Sequence, residues 1–222
     1  MKRHYPHLLV VLPALCLAAF ASWCEAQAIA VKPAARCEDK VAAVATLAPD
    51  LDHKFFRTTE TSFAWHLVEG DEGKLEDTMD GNIDPEDLAR VEHTAHCRST
   101  HQGDHAMDFC DAEQTVGGVR LVIFGGMPAY ASDLTVTINS KREFQCAFSA
   151  VYPGATNPLR WRVTKKAMKL KKADFAAGCR LRGWISVDFE EIDETTKETH
   201  PYHIEGYFKP VIASAANAAP AP

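Results

Sequence analysis

From Leu134 to Phe208 apolar and polar side chains alternate with a period of two. Leu134, Val136 and Ile138 alternate with Thr135 and Thr137, and Phe144, Cys146, Phe148 and Ala150 with Gln145, Ala147 and Ser149. Leu159, Trp161 and Val163 alternate with Arg160 and Arg162, and Met168 and Leu170 carry the pattern on among lysines. Cys179, Leu181, Gly183, Ile185, Val187 and Phe189 make a further row, and Tyr202, Ile204, Gly206 and Phe208 the last. Successive side chains on a strand point to opposite faces, so each row predicts a strand with one face on a core. The polar stretch Ile192 to Pro201 joins the final two strands into a long hairpin, and Val119 to Phe124, closed by Gly125-Gly126, adds a core strand and a turn. Strands with this punctuation predict an all-β chain, an antiparallel β-sandwich or barrel-like sandwich.

The N-terminal half is less regular and is expected to hold one or two short helices. Glu38 to Leu47 (EDKVAAVATL) reads as a short helix ending before Pro49. Asp84-Pro85-Glu86-Asp87 places an Asp cap before a Pro at the first helical position, which predicts about two helical turns. Phe63 to Leu67 reads as a half-buried strand.

The first residues have the layout of an export signal. Met1-Lys2-Arg3-His4 is a basic start, Leu8 to Phe20 an apolar run, and Ala26-Gln27-Ala28 a small-x-small cleavage signal. The run is shorter than a membrane span needs, and Pro13 interrupts it. The expectation is a signal peptide over 1–28, a single β-sandwich domain over 29–212, a disordered Ala/Pro tail over 213–222, and a periplasmic or secreted location.

Composition changes this picture little. The 222 residues are 46% hydrophobic and 24% charged, an ordinary globular balance, and the net charge of −6 argues against generic nucleic-acid binding. Cleavage after Ala28 removes Cys16 and Cys24 and leaves Cys37, Cys97, Cys110, Cys146 and Cys179. In an oxidising compartment an odd count predicts two disulfides and one spare thiol. Cys97 with Cys110 would close a short loop. Cys146 and Cys179, both on inward rows, are the second candidate pair.

Three constellations could carry chemistry. The segment Glu92 to Asp111 (EHTAHCRSTHQGDHAMDFCD) gathers His93, His96, His101 and His105, with Asp104 and Asp108. Imidazoles are preferred ligands of zinc and copper, so these four are the candidate metal set, although their spacing matches no standard zinc pattern and lacks the glutamate of HExxH. Glu76 to Asp87 (EDTMDGNIDPED) has the glycine of a calcium loop but departs from that pattern at its first, third and twelfth positions. Finally, Arg160, Arg162, Lys165, Lys166, Lys169, Lys171 and Lys172 are followed by Asp188, Glu190, Glu191, Asp193, Glu194 and Glu198. With Trp184 and Tyr207 on outward rows, Arg160, Arg162, Lys169 and Lys171 form a candidate binding surface.

No nucleophile elbow or phosphate-binding loop is present in the sequence. The leading expectation is an exported, non-enzymatic binding protein: an inhibitor, an immunity-type protector or an envelope accessory. Its partner would be another protein or an envelope component, with no nucleic acid, no membrane span and no required cofactor. The alternatives are a zinc- or copper-binding protein using the histidines, and a hydrolase of envelope polymers.

Overall fold

The computed structural model describes residues 36–63, 67–70, 72–77, 83, 86, 88–101, 103–125, 132–150 and 159–215. Strands run in the order β1 (Arg36–Asp39), β2 (Thr46–Leu47), β3 (Thr61–Ser62), β4 (Leu67–Glu69), β5 (Leu75–Asp77), β6 (Val91–Glu92), β7 (Ala95–Ser99) and β8 (His105–Met107). They continue as β9 (Phe109–Thr115), β10 (Gly118–Phe124), β11 (Ser132–Asn139), β12 (Phe144–Ala150), β13 (Leu159–Leu170), β14 (Gly183–Asp193), β15 (Thr199–Phe208) and β16 (Ile212–Ala213). A seven-stranded sheet in the order β1-β13-β14-β15-β7-β8, with β2 also on β13, packs against a five-stranded sheet in the order β12-β11-β10-β9-β16. The chain is an all-β sandwich.

The inward rows meet between the sheets. Val119, Leu121, Ile123, Leu134, Val136 and Ile138 of the smaller sheet are 0% exposed, as are Trp161, Leu170, Ile185, Ile204 and Phe208 of the larger. Each such side chain contributes about 1.5–3 kcal/mol on leaving water, so this alternation selects the pairing. Where β15 meets β7, a Cβ on Gly206 would stand 2.3 Å from the His96 carbonyl oxygen and 2.8 Å from Cys97 Sγ. A glycine is what allows the two strands to close over the buried Cys97.

One parity change in the sequence marks a bulge. Trp161 and Val163 are buried at odd positions, whereas Lys166, Met168 and Leu170 are buried at even ones, and the register of β13 on β14 shifts between Val163 and Lys165. The extra residue turns Lys166 inward, where it pairs with buried Asp39 and donates to the Phe144 carbonyl at 2.7 Å.

The expected helix over Glu38 to Leu47 is replaced by β1, β2 and an isolated bridge at Val44. The edge of β12 explains the change. Its outward amides at Phe144, Cys146 and Phe148 are taken by the Ala43 carbonyl at 3.2 Å, Asp39 Oδ2 at 2.7 Å and Cys37 Sγ at 3.3 Å. Covering a sheet edge outweighs the helix propensity of an alanine-rich stretch. The described residues contain one short 3-10 helix, Lys54–Phe56, capped by His53 Nδ1 accepting from the Phe55 amide. The predicted helix at 84–87 and the calcium-loop segment 76–87 lie largely outside the described residues, as do most of the strand over 63–67, the export signal and most of the tail. Among the described residues no helix is long and apolar enough to cross a membrane.

Candidate functional site

A cleft of about 400 Å³ opens beside the point where the chain passes from the large sheet to the small one. Phe63, Leu67, Leu75 and Phe109 supply its apolar wall; Arg90, His93, Asp108 and Glu69 supply polar groups, with Thr61, Ser62 and Ala106 completing it. The walls come from two short antiparallel strand pairs, β3 with β6 and β4 with β5, set against the β8–β9 corner. That corner is fixed by hydrogen bonds: the Ala95 amide donates to the Asp108 carbonyl at 2.9 Å and the Cys110 amide to Thr94 Oγ1 at 2.7 Å. The His93 amide donates to the Glu60 carbonyl at 2.8 Å, which anchors the opposite wall.

The polar groups of the cleft are only partly compensated. Burial pushes the Asp108 carboxyl up and Glu60 pushes the same way, while His93, His96 and Arg98 pull it back in part. The imidazole of His93 stands edge-on to Phe109 at 5.6 Å, and its Nε2 is buried with no hydrogen-bond partner among the described residues. The Arg90 guanidinium lies 4.7 Å above the Phe63 ring and donates to the Thr61 carbonyl at 3.4 Å.

The histidines proposed from sequence as one metal set stand in four surroundings. His93 lines the cleft. His96 is on the outer face of β7, its ring 5.6 Å from Phe55. His101 is 2% exposed between the sheets, edge-on to Tyr202 at 4.8 Å, Phe148 at 5.1 Å and Trp161 at 5.3 Å, with Nε2 3.4 Å from Glu191 Oε2. His105 is half-buried on β8 beside the Gly103 turn. Alternation along β7 and the turn after it separates them. Among the described residues no group of three or more His, Cys, Asp or Glu side chains stands together to hold a metal ion.

The candidate surface residues are paired rather than massed. Arg160 reaches Glu38 at 3.1 Å and Glu194 at 3.7 Å, and Arg162 pairs with Glu190. Lys169 lies over the Trp184 ring at 5.2 Å, Trp184 Nε1 donates to Glu205 at 3.2 Å, and Lys171 donates to the Leu51 carbonyl at 3.2 Å. Tyr207 stacks on His53 at 4.1 Å under the Lys54–Phe56 segment. Because β13 lies antiparallel to β14, the basic and acidic runs of the sequence face each other across strands. His203 adds to the same face: burial alone would lower its pKa, but Glu205 and Asp188 together raise it.

The described cysteines are all free thiols, so the expected disulfides are not present. Cys97 and Cys110 are both buried, and burial lifts the Cys97 thiol to about 12 and Cys110 well above its ordinary value. The pairing of Cys146 with Cys179 is corrected by the fold: β14 begins at Gly183, and Cys179 sits in the preceding turn with Sγ donating to Asp174 Oδ2 at 3.3 Å.

Comparison of the chain with family models, with curated proteins and with solved structures gives no match.

Proposed function

We propose that the chain is an exported, periplasmic or secreted, binding protein that holds a partner protein through the cleft beside the β8–β9 corner. The occupant is an apolar or aromatic side chain of that partner, with its flanking backbone amides turned toward Arg90, His93 and Asp108. Such a site suits an inhibitor, an immunity-type protector or an envelope accessory. The basic start, apolar run and Ala26-Gln27-Ala28 of the sequence support export.

The observation that carries this reading is His93 Nε2, buried and without a hydrogen-bond partner among the described residues, at the wall of a cleft that Phe63, Leu67, Leu75 and Phe109 also line. A buried polar atom without a partner costs about 1–3 kcal/mol, which an incoming amide or carbonyl offsets. Apolar walls with a few convergent polar groups are the usual form of a binding site. The outer face of the large sheet supports binding less well, because its charges already compensate one another across strands.

The test is retention of partner proteins from an envelope extract of the source cells by immobilised protein, with folding of each variant checked by circular dichroism. Phe63→Ala and Leu75→Ala should each weaken retention by about ten-fold or more, as central apolar contacts do. Trp184→Ala and Lys169→Ala should leave it unchanged. Loss on the outer-face variants with the cleft variants intact would move the site to the sheet.

A further inference from the structure

Cys37 and Asp39, two residues apart on β1, both reach the free edge of β12, and together they bracket Cys146. The Cys146 amide donates to Asp39 Oδ2 at 2.7 Å, while Cys37 Sγ lies 4.0 Å from the Cys146 carbonyl oxygen and accepts from the Phe148 amide at 3.3 Å. The Cys37 sulfur is thereby held beside the backbone of Cys146 by strand pairing on one side, where Cys37 is opposite Trp161, and by these contacts on the other. Cys179, the partner expected from the alternation, is instead held by Asp174 in a turn.

We propose that Cys37 and Cys146 are a disulfide-forming pair that ties the first described strand of the large sheet to the edge strand of the small one. The pair lies apart from the residues that line the cleft. Cys37 is only half-buried, so an external low-molecular-weight disulfide reaches it first. Its thiolate attacks one sulfur of that disulfide, forming a mixed disulfide and releasing one thiolate. Cys146 then gives up its proton and attacks Cys37 Sγ, the mixed bond breaks, and a second external thiolate leaves. Two protein thiols are oxidised, one external disulfide is reduced to two thiols, and the two protons balance the two thiolates released. Burial raises both thiols, Cys146 to about 12; the Lys166 ammonium opposes this in part at Cys146, and the Phe148 amide does so at Cys37.

The experiment uses the full chain, purified reduced, incubated with oxidised glutathione, denatured, alkylated and mapped by proteolysis and mass spectrometry. The expected product is a peptide pair joined through Cys37 and Cys146, about 2 Da lighter than its two thiol peptides, with Cys179 alkylated. Because the bond closes 109 residues of chain, its reduction by dithiothreitol should lower the Tm by about 10 °C. Cys37→Ser should remove both the cross-link and this redox-dependent difference. A Cys146–Cys179 link, or a Cys146 that remains fully alkylatable after oxidation, would overturn the proposal. The map of the unsubstituted chain decides the question even if Cys37→Ser does not fold.

Discussion

Asp108 occupies the residue at which the chain leaves one sheet for the other, so its backbone is fixed by the corner and its carboxylate is carried into the cleft wall. Burial holds its pKa above the usual carboxylate value. The folded state therefore binds this proton more tightly than the unfolded chain, and the ionised form is a penalty on folding. That penalty is absent below the unfolded pKa of about 4 and grows as pH rises through the folded value. Asp108→Asn should accordingly raise the urea midpoint at pH 7 and leave it unchanged near pH 3; a difference that does not vary with pH would contradict this assignment. The same variant should weaken partner retention, since a site tuned for binding keeps groups that stability alone would discard. In the sequence Asp108 was visible only as one acid among several near the histidines. Phe63 was read only as part of a half-buried strand and Arg90 carried no signal of a site, because β3 and β6 bring residues some thirty positions apart together without any periodicity.

At the scale of elements, the β13 bulge sets which lysines are structural. Lys166 is buried against Asp39, whereas Lys165 beside it is exposed. Removing one partner of a buried ion pair leaves the other charge uncompensated, at about 3–5 kcal/mol. Lys166→Met should lower stability by roughly that amount and Lys165→Met by less than about 0.5 kcal/mol, an ordinary surface change; chemical denaturation measures both. Equal effects would place the bulge elsewhere. The strands themselves were legible wherever a strand has one buried and one solvated face, as in β10 to β12 and the β14–β15 hairpin. Legibility failed for β1. Its residues alternate only because Cys37 and Asp39 serve an edge more than 100 positions later in the chain, and local propensity favours a helix there. It failed also for Cys179, where an inward parity continued past the end of the strand. The parity change between Val163 and Lys166 stands in the sequence, but reading Met168 and Leu170 as a continuation of the Leu159–Val163 row hides the bulge.

Across the whole molecule, charge that is segregated along the chain is compensated in space, since the antiparallel β13–β14 pair sets Arg162 against Glu190 and Lys165 opposite Asp188. The sandwich is also linked at its corners, by β8 passing into β9 at Asp108, by β15 passing toward β16 through Lys209, and by β1 covering β12. Buried Lys209 donates to the Thr58 carbonyl at 2.6 Å and pairs with Glu92 at 3.3 Å, so it joins one such corner to the segments that build the cleft. The molecule is thus a corner-tied frame that carries a small half-apolar cleft. The most direct test of binding at this cleft is an NMR titration of the isotopically labelled, full-length protein with N-acetyl-phenylalanine amide, an aromatic side chain flanked by two amide groups. The expected result is saturable shift changes at Phe63, Leu67, Arg90, His93 and Phe109, with none at Arg162, Lys169 or Trp184. Changes confined to the outer face of the large sheet, or no saturable change at the cleft, would contradict it.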